Sequence, residues 1–421
     1  MKVWILQTGE PLPIDYSGVR PMRAINLSTA LVQRGHDVTL WSADFDHISK
    51  RHRFGDKNSI KISSQLEIRL IKSRGYKSHF GLTRLIDHAQ LGLNLRKMLM
   101  DEGGPDVAFI GYPPIETAWV MARWLKRKGI PSVLDIKDAW PEIYLDSFPK
   151  VLRPPIKLLL KPYFLAMKST FRSVTLLSSV TEPFLNWSTT VSGLKPNGDN
   201  FVNYLTTDPS IISDKEYRDG QDYLDTHEIY DTGVLRGSFI GTLNSVFDFE
   251  PIFAAAKILP IEIIIAGSGP LYSKLQETAL ELPNVKFLGW INAAQASALI
   301  SRSTFMLAPY KNLSNFDIHI PNKFFDAMAH GVPVVTSIGG IAKTLVTVEN
   351  IGFTYSEDQV DSLTDILSNI LRDPSTLHEM SLNAKNLYNQ RFSFEKVYGG
   401  CVSRLESLAS IKGNFPKAND C

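Results

Sequence analysis

Two successive runs of short apolar strands alternating with amphipathic helices predict an α/β protein built from two tandem doubly wound, Rossmann-like domains. The length of 421 residues points the same way, because a single ordinary core stops growing well before that size. A hydrophobic share of 44% and a charged share of 21% are those of a globular chain that can fill such cores.

The first run opens with the apolar stretch Lys2 to Gln7, which reads as a strand rather than as a leader because no small-residue cleavage site follows it. A Gly/Pro-rich segment runs through Gly18. Helical periodicity then covers Arg20 to Gln33, and RGHDVTLWS resumes as a strand. The alternation continues with strand Glu67 to Ile71, helix Thr83 to Met100, strand Val107 to Ile110, helix Ile115 to Lys128 and strand Ser132 to Ile136. A long basic helix from about Pro155 to Phe171 and strand Val174 to Ser178 follow. Residues 1–207 are therefore read as the first, acceptor-binding domain.

Residues 208–232 are rich in Asp and Glu and poor in large aliphatics, as befits a surface linker. The second domain, 233–393, repeats the pattern through strands Gly237 to Ile240, Ile261 to Ala266, Val285 to Leu288, Phe305 to Ala308 and Val332 to Thr336. Between them lie helices Glu250 to Ile258, Leu271 to Ala279, Ala293 to Ser301 and Asn322 to His330. Helices Gln359 to Leu371 and Ser375 to Phe392 close this domain. Residues 394–412 form a last helix expected to pack back on the first domain, and 413–421 form a tail.

Composition excludes several classes of function. A net charge of +2 lacks the broad basic footprint of a nucleic-acid binder, so no nucleic-acid partner is expected. The two cysteines, Cys401 and Cys421, make neither a metal-ligand spacing nor a disulfide framework, which suits a reducing, cytoplasmic setting. No apolar run is long enough to span a bilayer. The histidines form no zinc-helix pair and there is no Gly-x-Ser-x-Gly elbow, so metal and serine hydrolases lose support. Neither domain opens with Gly-x-Gly-x-x-Gly after its first strand, which argues against a nicotinamide oxidoreductase.

The segment PNKFFDAMAHGVPVVTS, Pro321 to Ser337, carries the most chemistry. Pro321 opens a helix and Gly331 with Pro333 ends it ahead of a buried strand. The amides of Asn322, Lys323 and Phe324 then stand at a helix start, where unpaired donors and the helix dipole favour an anion such as a diphosphate. Asp326, one turn on, could accept both hydroxyls of a ribose; equally, it fits the polar face of an amphipathic helix.

This segment resembles the signature of the retaining glycosyltransferases of family 4, which have the glycosyltransferase-B fold with two domains facing a cleft. It is most similar to the bacterial surface-polysaccharide subgroup that builds O-antigens and capsules, and the resemblance covers nearly the whole chain. It implies that Asp326 holds the ribose of a nucleoside-diphosphate sugar, a UDP-sugar in the first instance, and that the helix-start amides meet its diphosphate. Many members carry a donor-sugar glutamate eight residues earlier, where this chain has Ile318 between Asp317 and His319. Basic residues that commonly follow the turn at Gly241 are replaced by NSVFDFE, Asn244 to Glu250, which leaves Lys323 as the expected countercharge.

Other stretches agree in order. IIIAGSGPL, with Gly267 and Gly269, resembles a turn close to the nucleotide, although such turns also serve as plain tight connections. VKFLGWI makes Trp290 and Ile291 candidates for a base pocket, with core packing the alternative for Trp290. In the first domain Gly18 allows close backbone approach, and Arg20 or Arg23 could meet a phosphate or the acceptor, or be a solvated arginine at a helix start. DIKDAWPEIYLDS, Asp135 to Ser147, resembles an acidic stretch of the subgroup. Asp138, with Glu142 second, is the candidate for orienting or deprotonating the acceptor hydroxyl; capping the next turn is the other reading for Asp138. PNGDN, Pro196 to Asn200, resembles the family's interdomain turn.

The resemblance thus implies sugar transfer with retention onto a saccharide or lipid-linked acceptor, with no cofactor and no obligatory bound metal. Residues 150–172 contain six basic residues and no acid among apolar ones, a pattern that either adheres to anionic lipid on the inner membrane face or is a solvated helix. A nucleotide-sugar 2-epimerase and a non-catalytic nucleotide-sugar-binding subunit are the alternative functions.

Overall fold

The computed structural model describes residues 1–16, 18–53, 58–77, 81–146, 148–194, 197–313, 316–356 and 360–410. They divide into two compact units, one of residues up to 204 together with Val397 onward, the other of Leu205–Lys396. Gly18–Arg20 belongs with the second.

The first unit begins with β1 (Lys2–Leu6), α1 (Arg23–Gln33), β2 (Asp37–Ala43), the short antiparallel pair β3 (Phe45–Asp46) and β4 (Arg51–His52), β5 (Ser59–Lys61) and β6 (Leu66–Ile71). It continues with α2 (Leu82–Met98), β7 (Val107–Tyr112), α3 (Ile115–Arg127), β8 (Ser132–Ile136) and α4 (Glu142–Asp146). After these come α5 (Arg153–Leu159), α6 (Lys161–Phe171), β9 (Leu176–Ser179), α7 (Glu182–Ser192) and β10 (Phe201–Val202). The sheet order is β10-β9-β8-β7-β1-β2-β6-β5, parallel except for β5 against β6. Strands covered on both faces are mostly apolar, and β7 and β8 are buried at every position, the buried Asp135 of β8 being the charged exception. Trp4 anchors the core, edge-on to Trp41 at 5.1 Å and stacked on Trp124 at 5.5 Å.

The second unit contains α8 (Asp214–Thr226), β11 (Arg236–Ile240), α9 (Glu250–Ile258), β12 (Glu262–Ala266), α10 (Tyr272–Thr278), β13 (Val285–Gly289), α11 (Ala293–Ser301) and β14 (Phe305–Ala308). It ends with α12 (Asn322–His330), β15 (Val334–Thr336), α13 (Gly340–Val348), β16 (Gly352–Thr354), α14 (Val360–Arg372) and α15 (Ser375–Leu387). All six strands are parallel, in the order β13-β12-β11-β14-β15-β16. The last helix, α16 (Gly400–Ser410), packs on α1 and β7 of the first unit, and Arg34, which ends α1, reaches its Ser403 at 2.9 Å.

Three readings of the sequence are corrected. Residues 208–232 are not merely a linker: they include α8, whose Ser213–Glu216 capping box starts an amphipathic helix that buries Leu224 and packs on α11. Gly220 permits that approach, since a β-carbon there would stand 2.7 Å from the Ala294 carbonyl oxygen. The long basic helix is two helices, α5 and α6, with Pro162 in the opening turn of the second. Arg23 is not at the surface. It is 2% exposed, its Nε lies 3.0 Å from the buried Asp135 of β8, and it donates to the Asn203 carbonyl. Gln359, Ile411, Lys412 and the tail 413–421 lie outside the described residues.

Ser178 also donates to Asp135, at 2.6 Å. A buried ion pair loses more when one member is removed than when both are, because the survivor is left charged without compensation. Arg23→Met and Asp135→Asn are each expected to cost about 3–5 kcal/mol in urea denaturation, and the double variant less than their sum. Additive losses would mean that the two side chains do not act as a pair.

Candidate functional site

In open α/β sheets ligands settle at the carboxyl ends of the strands, where the strand order reverses. In the second unit that reversal lies between β11 and β14. Gly241 follows β11, Tyr310 lies just beyond β14, and the first turn of α12 begins twelve residues after Tyr310, at Asn322.

Helix α12 starts as its sequence suggests, with Pro321 extended as the N-cap and Gly331 left-handed at the C-cap. The Phe324 amide, however, donates to the Pro321 carbonyl at 3.0 Å, and the Phe324 side chain is wholly buried. Phe324 is therefore a core residue, and the candidate amides at this helix start narrow to Asn322 and Lys323.

Lys323 is the unusual group. The residue as a whole is half-buried, but its Nζ is fully covered and has no hydrogen-bond partner among the described residues. Three rings surround the ammonium, with centroids at 4.1 Å (Phe239), 4.3 Å (Phe247) and 5.1 Å (Tyr310). Burial lowers its pKa to about 7, outweighing the opposing pull of Asp326. Asp326, mostly shielded, accepts from Arg20 Nη2 at 2.6 Å. The structure thus brings Arg20, Lys323 and Asp326 to the same turn.

The glycine turns abut one another. Gly241 donates to the Ala266 carbonyl at 3.0 Å and Leu243 to the Ser268 carbonyl at 2.9 Å. Gly267 and Gly269 have φ of 136° and 155°, and β-carbons there would stand 1.9 Å from Gly241 O and 2.3 Å from Leu243 O. Packing of backbone on backbone is reason enough for glycine at both positions. Gly18 lies against Asn292, the N-cap of α11.

Trp290 and Ile291 part company. Trp290 is 56% exposed, so core packing does not account for it, whereas Ile291 is buried with Leu224, Ile229 and Leu299 and can offer a ligand only its backbone. Asp317 packs on the start of α13, its carbonyl accepting from Ile341 at 2.8 Å.

In the first unit Asp138 is half-buried in the loop after β8. Glu142, at the start of α4, accepts from the Trp187 indole at 2.7 Å, which fixes its carboxylate. Sequence reasoning missed the residues gathered around Trp140. Tyr112 donates to the Trp140 carbonyl at 2.6 Å, Arg84 lies over the Trp140 ring at 5.0 Å, and His88 Nδ1 stands 3.8 Å from Glu116. Burial raises Glu116 to about 7 against its own amide, Tyr163 and Arg84, and lowers His88 to about 4. The signal was in YPPIE, an acid in a first helical turn two residues after a pair of prolines. Of PNGDN, Pro196 lies outside the described residues, and Asn200 accepts from the Leu177 amide at 2.8 Å.

Comparison with known proteins bears on the fold and on the second unit. Residues 246–373 match the family of glycosyl transferases group 1. A D-rhamnosyltransferase of Pseudomonas aeruginosa, WbpZ, is 25% identical over 159 residues, 37% of this chain, and the match spans only 41% of that protein. Among solved structures, the sucrose-phosphate synthase of Thermosynechococcus elongatus superposes with a TM-score of 0.72 over 97% of this chain and 99% of that one, at 15% identity. Anabaena HepE in complex with UDP-glucose gives 0.62 over 97% and 100%, at 16% identity. WaaG, a glycosyltransferase involved in lipopolysaccharide biosynthesis, gives 0.64 over 96% and 99%, at 14% identity. At these identities the structures establish the glycosyltransferase-B fold, and the family match lies within the second unit.

The buried ammonium has a pH signature. Between about pH 7 and the unfolded lysine's ordinary 10.5, the unfolded chain holds a proton that the folded chain has released, so this group makes stability rise with pH. Lys323→Met should therefore gain on the wild type near pH 6 in chemical denaturation and lose that advantage toward pH 9. A difference independent of pH would show that the ammonium is solvated.

Proposed function

We propose that the chain transfers a sugar, with retention, from a nucleoside-diphosphate sugar, in the first instance a UDP-sugar, to a saccharide or lipid-linked acceptor in surface-polysaccharide synthesis. The single observation that carries this is the convergence of Lys323, Asp326 and Arg20 on the first turn of α12 at the strand-order reversal, inside the stretch that matches the family. HepE has been solved with UDP and UDP-glucose, which supports the choice of base. WaaG and WbpZ support the surface-polysaccharide setting.

In this reading the Asn322 and Lys323 amides and the Lys323 ammonium stabilise the charge that develops on the leaving diphosphate, the largest effect such a site can supply. Asp326 accepts the ribose hydroxyls, and Arg20 holds its carboxylate. Backbone at Gly241, Gly267, Gly269 and Ile291, with the Trp290 ring and the Gly18 turn, frames the nucleotide. Asp138 serves the acceptor hydroxyl and Glu142 supports it.

A thermal-shift panel of nucleotide-sugars should single out one base by mass action. Asp326→Asn should weaken that nucleotide by about tenfold or more, as loss of a charged hydrogen bond does. Unchanged affinity removes the ribose assignment. Conversion of the donor without any acceptor would replace transfer by epimerisation, and unchanged turnover in Asp138→Ala would clear that residue of its role.

The same reading includes contact with an anionic membrane through residues 150–172. Among the described residues no helix is long and apolar enough to cross a bilayer. Leu158 and Leu159 are 71% and 78% exposed beside Lys157 and Lys161, and an apolar groove runs between Pro155 and Leu165. Two of the basic residues are already engaged, Arg172 donating to the Ser192 carbonyl at 2.9 Å and Arg153 to the Phe148 carbonyl at 3.2 Å. Sedimentation with vesicles should be strong for phosphatidylglycerol and weak for pure phosphatidylcholine. Leu158→Ser with Leu159→Ser should lower it roughly tenfold. Equal sedimentation with both lipids, or none with either, contradicts the membrane contact.

A further inference from the structure

The segment after Gly241 holds the richest set of contacts that the functional reading leaves unused. Asn244 to Glu250 contains no basic residue but two phenylalanines. One of them, Phe247, pairs across an antiparallel bridge with Tyr310. The Asp248 amide donates to the Pro309 carbonyl at 2.8 Å and the Lys311 amide to the Val246 carbonyl at 2.9 Å, so the two loops are zipped together. Phe239 comes up from β11, edge-on to Phe247 at 4.9 Å. Three rings from three separate stretches of chain thus meet around one ammonium that has no oxygen to bind among the described residues. Above it the chain is glycine. A side chain at 241 would begin 3.6 Å from Lys323 Nζ, with Phe239 ring carbons at 3.5 and 3.7 Å the other nearest atoms.

An unpartnered buried cation is costly unless something attracts it, and ring faces are the attraction present here. We infer that Phe239, Phe247 and Tyr310 form a cation cage that positions the Lys323 ammonium for the donor's diphosphate at the side-chain-free face of Gly241. This rests on the donor reading above and adds to it three positioning residues. The cage fixes the ammonium's place before the ligand arrives, so little side-chain freedom is lost on binding. It also keeps water from the ammonium, which strengthens its pull on an anion.

Among the described residues, the charged groups about the cage are few. Asp326 lies one turn along α12 and is paired with Arg20, and the Tyr310 phenol stays neutral because burial raises its pKa. Asp248, Glu250 and Lys311 adjoin the cage residues in sequence.

The test is calorimetric titration of the intact chain with whichever of UDP, GDP, ADP and dTDP the wild type binds tightest, from about pH 5.5 to about 9 around the lysine's titration. Lys323→Met should weaken binding about tenfold or more and abolish its alkaline decline. Phe247→Leu keeps the site apolar but removes a ring, so it should weaken binding by roughly tenfold and move the decline to lower pH. Tyr310→Leu should do the same, and Phe247→Trp should restore wild-type behaviour. A merely structural role would leave the pH of the decline unmoved. If Lys323→Met binds as the wild type does, the donor reading of Lys323 falls and the cage with it. If Lys323→Met is impaired while both leucine variants, folded by circular dichroism, keep wild-type affinity and pH dependence, the cage alone is overturned.

Discussion

A positive charge buried without an acceptor organises the second unit's candidate site. An isolated ammonium in an apolar setting either sheds its proton or finds electron density, and around Lys323 the density comes from three aromatic faces. Its position is not incidental. It lies where strand order reverses, beneath a glycine turn and one helical turn from a carboxylate whose own partner is an arginine. Each neighbouring feature has a local reason: β11 supplies Phe239, the zipped loops supply Phe247 and Tyr310, and Pro321 starts the helix that carries the lysine.

The first unit handles charge differently. Arg23 and Asp135 are buried as a pair, with Ser178 and the Asn203 carbonyl taking up further hydrogen-bonding capacity, which makes them part of the framework. Glu116, by contrast, is raised to about 7 by burial beside His88, Arg84 and Tyr163. Among the described residues of the unit no other carboxyl is raised so far.

Much of this was legible in the sequence because strands covered on both faces are near-continuous apolar runs; Val107 to Ile110 is one, and Ser132 to Ile136 is one interrupted by Asp135. Helix α12 was legible from its ends, since proline and glycine punctuate backbone geometry directly. What stayed hidden depends on partners distant in sequence. Arg23 looked like a solvated arginine because Asp135 is more than a hundred residues away. The acidic stretch concealed α8 because its few apolar positions, Leu224 foremost, count only once α11 is there to receive them. Lys323 could be proposed from its place at a helix start, but its cage could not, since Phe239, Phe247 and Tyr310 share no local pattern. Phe324 was misjudged because an amide's availability depends on whether the preceding carbonyl turns back to meet it.

The decisive measurement is a structure of the intact chain with its preferred nucleoside diphosphate bound. A phosphate oxygen should lie within hydrogen-bond distance of Lys323 Nζ and the Asn322 or Lys323 amide, with the ribose hydroxyls on Asp326. A nucleotide seated away from α12, with the Lys323 ammonium still enclosed by its three rings and touching no phosphate, would contradict it.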